Sequence, residues 1–415
     1  MSKNNEYKLV PRLRFPEFEN AGEWEMLELS EITDRITEKI ETKKITTVSI
    51  SAGLGFVSQA EKFSRDISGQ QYKNYIHLRK DEFAYNKGNS KTFPQGCIYK
   101  LIEFDEAAVP NAFICFRFKS KVVADFYQGY FANNFHGKQL KKFITSGARM
   151  DGLLNISPSD FFSISFPTPT KREEQQKIAS CLSSLDEVIT AESQKLELYQ
   201  QHKKGLLQNL FPQEGETLPK LRFKEFEDSG DWEAKRLGEI ATFVNEKTQL
   251  ENLSINSYIS TENLLPDYAG VTLASKLPSS GNFTKYQKGD VLVSNIRPYL
   301  KKVWFAENDG GCSNDVIVIR TNSFILDVFL SLLLRNDAFI SYIMKSAEGV
   351  KMPRGDKDSI KDYPITFPRE KTEQQRIASC LSSLDDLINA QRQKIEMLQR
   401  HKKGLLQGLF PPINN

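Results

Sequence analysis

A 39-residue segment of this chain occurs twice, and the rest of the sequence has to be arranged around that fact. Residues 174–212, EQQKIASCLSSLDEVITAESQKLELYQQHKKGLLQNLFP, match residues 373–411, EQQRIASCLSSLDDLINAQRQKIEMLQRHKKGLLQGLFP, with no gap and 28 identities. A shorter repeat opens each half: LRFPEFENAGEWEMLELSEI at 13–32 and LRFKEFEDSGDWEAKRLGEI at 221–240. Phe15, Phe18 and Trp24 thus answer Phe223, Phe226 and Trp232, and both tryptophans read as core anchors. Between these matched ends, residues 41–145 and 249–347 look unrelated. Repetition on this scale describes one structural plan used twice, with a body free to diverge in each copy.

The long repeat is helical. Ile178, Leu182, Leu185, Ile189, Glu192, Leu196, Tyr199, Lys203, Leu206 and Leu210 step by four and three, as do Ile377, Leu381, Leu384, Ile388, Gln391, Ile395, Leu398, Lys402, Leu405 and Leu409. A 3.5-residue period held this long marks a coiled-coil seam, here roughly 50 Å long. Prolines bound both copies: Pro167, Pro169 and Pro212 for the first, Pro368, Pro411 and Pro412 for the second. Two such helices in one chain pair most simply with each other. Antiparallel pairing relates the halves by a pseudo-twofold axis and, in one register, sets Glu192 opposite Lys402 and Gln391 opposite Lys203. Pairing of each helix with another chain is the alternative.

The bodies read as mixed α/β. CIYKLIEF (97–104), AFICFRFKS (112–120) and DVIVIRT (315–321) are β-rich runs; 125–145 and 327–346 each read as one helix. Each helix leads into a glycine-led loop, SGARMDG (146–152) or EGVKMPRG (348–355), then a strand-like FSISFP (162–167) or YPITFP (363–368). The expected organisation is an N-terminal segment (1–22), a first body (23–168), a first helical region (169–212), a linker (213–230), a second body (231–367) and a second helical region (368–412). The fold class is α/β (mixed α+β), with two globular domains separated by two long antiparallel coiled-coil helices.

Net charge is only +3, but it is unevenly spread. Residues 126–150 carry Lys138, Lys141, Lys142 and Arg149 and no acid; residues 285–302 carry Lys285, Lys288, Arg297, Lys301 and Lys302 against Asp290 alone. Basic patches interleaved with Tyr and Phe suit phosphate contacts, and equally suit a solvated surface. The five cysteines, with no CxxC pair, fit reduced thiols, Cys181 and Cys380 as small packing residues beside the seam. His202 and His401 stand at equivalent helix positions, too far from other histidines for a metal pair. No run of eighteen apolar residues and no apolar leader is present, so a cytoplasmic protein is expected. GxxxxGK[ST], NPP[YF] and a glycine pattern for S-adenosylmethionine are all missing, and four histidines leave no obvious general-base constellation.

With EQQKIASCLSSLD and HKKGLLQNLF, their second copies and the two LRFxEFxxxxxW openings, the chain resembles the specificity subunit of Type I restriction–modification systems over essentially its whole length. The resemblance implies two variable target-recognition domains, each reading one half of a bipartite, asymmetric site in double-stranded DNA. It implies an antiparallel coiled coil as spacer, on which modification subunits, expected to be two, dock, with restriction/translocase subunits joining through them. No catalysis and no cofactor are then expected of this chain; S-adenosylmethionine, ATP and magnesium belong to the partners. Half-sites on one face of B-DNA lie about 34 Å apart or a multiple, a separation such a spacer suits.

Base reading requires hydrogen bonds to base edges, while lysines on phosphates supply affinity. The candidates in the first body are Tyr85, Asn86, Lys87 and Lys91 of FAYNKGNSK, with Lys141, Lys142 and Arg149 after the long helix. In the second body they are Asn295, Arg297, Tyr299, Lys301 and Lys302 of SNIRPYLKK, with Lys351 and Arg354. FAYNKG and LVSNIR both place an Asn after an apolar strand, and Asn suits adenine edges as Arg suits guanine. A coiled-coil scaffold whose bodies bind proteins, and an enzyme with an unrecognised site, are the competing readings. Absence of salt-dependent, sequence-selective DNA binding would favour the first, turnover by the isolated chain the second.

Overall fold

The computed structural model describes residues 9–41, 44–51, 53–88, 93–144, 153–213, 215–346 and 355–412. The chain forms two compact units, Met1–Ser193 with Gln393–Asn415, and Gln194–Arg392. The division follows from the helices: Arg172–Asn209 and Lys371–Leu409 each begin in one unit and end in the other.

In the first unit the strand Glu25–Glu28 pairs antiparallel with Ser165–Thr168, so the body's entry and exit strands are neighbours. Between them lies an antiparallel sheet in the order Thr33–Ile36, Ile114–Phe118, Phe83–Asn86, Cys97–Lys100. The second unit repeats this topology: Glu233–Arg236 pairs with Pro364–Phe367, and the sheet runs Ala241–Phe243, Val316–Thr321, Val291–Ser294, Val303–Phe305. Bodies with no readable sequence similarity therefore share one frame.

Two single-helix expectations are corrected. Residues 125–145 form Ala124–Ala132, Phe135–Leu140 and a 3-10 turn Lys141–Phe143, because Asn134 takes a left-handed backbone with φ of 53°. Residues 327–346 divide into Asp327–Leu334 and Asp337–Ser346; the Asn336 side chain accepts from the Ala338 N–H at 3.1 Å and starts the second helix anew. The strand expected over 162–167 begins only at Ser165. Ser157 and Asp160 form a capping box, with Pro158 at the first turn, that starts a short helix Pro158–Phe162 instead.

Each core is finished by the stalk. In the first unit, Ile178 and Leu182 from the start of one long helix and Leu406, Leu409 and Phe410 from the end of the other pack around Trp24, Phe126 and Tyr130. Phe410 lies 4.5 Å from Tyr130 and 5.3 Å from Phe126, centroid to centroid. A Cβ on Gly129 would come within 2.4 Å of the Phe410 ring, so only glycine permits this approach. In the second unit Ile377 and Leu381 meet Leu210 and Phe211 around Trp232 and Phe329. Each such large apolar side chain contributes about 1.5–3 kcal/mol on burial.

The helices run antiparallel within each unit, as expected, and every seam position is sheltered. Ile178, Leu182, Leu210, Ile377, Leu381, Leu384, Ile388, Gln391, Ile395 and Leu409 are buried; Leu185, Ile189, Glu192, Leu196, Tyr199, Lys203, Leu206, Leu398, Lys402 and Leu405 are half-buried. The register expected from the sequence is wrong. Lys402 pairs with Asp186, six residues before Glu192; Glu192 pairs with Lys394, eight before Lys402; and Lys203 pairs with Asp385 rather than meeting Gln391. The shift is about one heptad, which leaves the same apolar residues inside, so the charge pairs and the packing of the helix ends into the bodies distinguish the registers.

Where each long helix meets its body, a carboxylate is buried. Glu174, 1% exposed, takes two hydrogen bonds of 2.8 Å from Arg14 and one of 3.2 Å from the Trp24 indole. Glu373 repeats this with Arg222 and Trp232 at the same distances. The next residue ties the body's other side: Gln175 accepts from the Val123 N–H and donates to the Pro169 carbonyl, and Gln374 does so with Leu326 and Pro368. Truncating one partner of a buried pair leaves the other charge stranded at a cost of about 3–5 kcal/mol. Glu373→Ala should therefore lower protection of the second unit's amides by that amount in native-state hydrogen exchange. Protection of residues 24–168 should be unchanged; equal loss in both units would refute a local clamp.

Candidate nucleic-acid interface

The frame places one hairpin loop of each unit equivalently. Residues 87–96 join Phe83–Asn86 to Cys97–Lys100, and residues 295–302 join Val291–Ser294 to Val303–Phe305. Each hairpin is tied to a residue at or just after the end of the glycine-led loop. The Lys87 carbonyl accepts from the Leu154 N–H at 2.9 Å, and the Asn295 carbonyl from the Gly355 N–H at 3.0 Å. Each hairpin candidate group is thereby tied, at Lys87 or Asn295, to a residue far from it in sequence.

In the first unit Tyr85 is not a DNA contact. It is fully buried, stacks on Phe161 at 4.7 Å and donates its hydroxyl to the Gln95 carbonyl at 2.6 Å. Asn86 is a turn former: its Oδ1 accepts from the Gly88 N–H at 2.9 Å. Lys87 is half-buried, and Lys141 and Lys142 are exposed on the 3-10 turn, Lys142 over the Phe143 ring at 4.9 Å. Lys91 and Arg149 lie outside the described residues.

Beneath this hairpin sits a polar brace that sequence reasoning missed. His136, wholly buried, donates from Nε2 to the Gly96 carbonyl at 3.2 Å, since a carbonyl can only accept. Asn134 Nδ2 donates to Gln95 Oε1 at 3.2 Å. Gly96 has φ of +80°, and a Cβ there would lie 2.4 Å from the Asn86 carbonyl oxygen, so the return of the loop requires glycine. Desolvation holds the His136 imidazole neutral and lowers its pKa to about 4.

In the second unit Arg297 is exposed and Tyr299 is 50% exposed, while Pro298 between them is buried. Lys301 and Lys302 are structural rather than free for phosphate. Lys301 pairs with Asp337 at 2.9 Å, and the Lys302 ammonium donates to the Thr261 carbonyl. Asn295 cannot make the two-point contact with adenine expected of it, because its Oδ1 is buried and without a partner. Lys351 and Arg354 lie outside the described residues.

Sequence reasoning also passed over Glu174, Gln175 and their second copies. The signal was present, since EQQ opens both repeats unchanged while most paired charges do not recur. Among the described residues no group of three or more His, Cys, Asp or Glu is arranged to hold a metal ion, and no helix is long and apolar enough to cross a membrane. His77, 2% exposed between Glu38 at 3.2 Å and Glu106 at 2.7 Å, belongs to an ion cluster with Arg79. Hydrogen bonds from Arg79, then His77, lower the Glu38 pKa to about 2, as befits a salt bridge rather than a general base.

The family described as Type I restriction modification DNA specificity domain matches residues 21–200 and again 229–400. The MjaVIII specificity subunit of Methanocaldococcus jannaschii is 24% identical over 319 residues, 70% of this chain and 71% of that protein. The HindI specificity subunit of Haemophilus influenzae is 26% identical over 189 residues, 43% and 41% of the two. Among solved structures, the S subunit of a Type I restriction–modification system from M. genitalium superposes with a TM-score of 0.61 at 14% identity, covering 98% of this chain and all of that one. A chain from a structure concerned with complex assembly and conformational transition of the type I R-M system gives 0.52 at 16% identity, covering 98% and 99%. These two likenesses are likenesses of fold.

The buried imidazole gives the first unit a pH dependence. Its folded pKa lies below the unfolded value of about 6.5, so the unfolded chain binds the proton first as pH falls. The stability due to neutral His136 is complete above about pH 6.5 and is lost towards pH 4, to a total of about 3 kcal/mol. His136→Gln, which keeps a donor for Gly96, should flatten the melting temperature of the first unit between pH 7 and 5; an undiminished slope would place the titration elsewhere.

Proposed function

Because the chain belongs to the Type I restriction–modification DNA specificity family, we propose that it is the sequence-reading subunit of such a complex, each unit recognising one half of a bipartite site. One observation carries this reading furthest. Two hairpins of unrelated sequence occupy the same place in four-stranded sheets of the same strand order, each tied to a residue that lies after the helices. Divergent loops carried on a shared frame are how a binding surface changes target without changing fold. In the first unit Lys87, Lys141 and Lys142 serve the phosphates; in the second Arg297 and Tyr299 reach outward. The body and helical boundaries given above are part of the proposal. So is the assignment of the unread gap between the half-sites to the paired helices.

Methylation and cleavage then fall to partners that carry S-adenosylmethionine, ATP and magnesium, and this chain is non-catalytic and cytoplasmic. Two modification subunits dock on the helices. Val188 and Met397 in the first unit are 44% and 57% exposed, and their counterparts Leu387 and Leu198 in the second are 50% and 63% exposed. Val188 and Leu387 stand one position before a seam residue, Leu198 and Met397 two after one. In an antiparallel pair these positions project from the same side. Each unit thus carries one copy of the same apolar face, and exposed apolar faces of this kind mark interaction sites.

Exchanging residues 41–145 for those of a relative with another target should change one half of the methylated site in cells. The other half and the gap should be kept; change in both halves or in neither would defeat the modular reading. Leu198→Glu with Leu387→Glu should leave one modification subunit bound per chain instead of two, measured by native mass spectrometry. Two subunits still bound would remove this face from the interface.

A further inference from the structure

The exposed hairpin of the second unit is held in a backbone conformation that its residue types do not favour. Arg297 and Lys301 have φ of 51° and 54°, on either side of the 3-10 turn Pro298–Leu300, and the facing loop adds Asp267 and Tyr268 at 54° and 59°. Left-handed backbone is disfavoured for arginine, lysine and tyrosine, which lack the short side chain that eases it for Asn and Asp. Such strain persists only where the surroundings impose it.

Here the two loops are laced together. The Asp267 N–H donates to the Leu300 carbonyl and the Tyr268 N–H to the Lys301 carbonyl, both at 3.0 Å; the Leu300 N–H closes onto the Arg297 carbonyl at 2.9 Å. Asp337, at the start of the helix Asp337–Ser346, receives Lys301 at 2.9 Å and the Tyr268 hydroxyl at 3.3 Å. The loop is fixed from three sides, and its buried Pro298 turns Arg297 and Tyr299 outward. Three other arginines of this unit are occupied: Arg222, Arg236 and Arg320 each donate to a carboxylate. The Arg297 guanidinium meets no partner among the described residues.

We propose that Arg297 determines sequence specificity, its guanidinium reading a guanine in the half-site recognised by the second unit. This rests on the reading of the chain as a sequence-specific DNA binder. A planar fork of N–H donors, exposed and carried on a rigid loop, matches the paired O6 and N7 acceptors that guanine presents in the major groove. A phosphate contact would require neither the fork nor the rigidity and would carry no base preference. The strained backbone then has a purpose, since it fixes the origin of the side chain before DNA arrives.

The test uses the complete complex of this chain with its own modification subunits, with methylated sites mapped in cells for the parent and for Arg297→Ala, Arg297→Lys and Arg297→Gly. All three should lose the requirement for one guanine, a fall of about tenfold or more in discrimination at that position. The other half-site should stay intact. Arg297→Gly should melt no lower than the parent, because glycine adopts φ of 51° freely. Full guanine preference in Arg297→Lys with uniformly weaker methylation in Arg297→Ala would identify a phosphate contact and overturn the proposal. Loss of all methylation with a lowered melting temperature in all three would make the role structural and overturn it as well. A parent complex whose methylation shows no dependence on sequence would instead refute the underlying reading.

Discussion

Neither body can close its core alone. The apolar space under each tryptophan is filled by the last turns of a long helix that began in the other unit: Phe410 against Trp24, Phe211 against Trp232. This constraint explains why the repeats are so alike where the bodies are not. A residue on the stalk must satisfy the seam in its middle and a body at each end, and few substitutions serve all three. The hairpin loops answer to no such demand and have diverged freely.

Charge enters where packing leaves a choice. The bidentate Arg14–Glu174 and Arg222–Glu373 pairs, each with an indole N–H, fix how a long helix leaves its body. Along the seam, Lys402–Asp186, Lys394–Glu192 and Lys203–Asp385 select among registers that the apolar pattern treats as equal. The two buried arginine–glutamate pairs add little net stability, but they penalise every arrangement in which one partner loses the other.

The stalk was legible in the sequence because heptad spacing is a local signal and the helices obey it throughout. Its register was not, since sliding one heptad buries the same leucines and isoleucines. In the bodies, apolar runs continue through Asn134 and Asn336, where side-chain and backbone details divide the helices. Tyr85 is a candidate together with its neighbours in FAYNKGNSK, at the end of an apolar strand. Phe83, Ala84 and Tyr85 are instead all buried, for the strand is covered on both faces. Of the proposed contacts, Arg297, Tyr299, Lys141 and Lys142 stand at the surface, whereas the side chains of Asn86, Lys301 and Lys302 hold the loops and the Asn295 Oδ1 is buried. Which side chains of these loops are free depends on hydrogen bonds between segments far apart in sequence, which composition does not show.

The way each core borrows a helix end also bears on the order of assembly. Phe211 meets Trp232 across 21 residues, whereas Phe410 meets Trp24 across 386. Loop-closure entropy makes the longer connection costlier by roughly 2–3 kcal/mol when the rest of the chain is unfolded. During synthesis the contrast is sharper, because Phe410 emerges 199 residues after Phe211. The body encoded first thus waits with an open apolar cleft until the second has been made, reversing the usual order in which domains mature along a nascent chain.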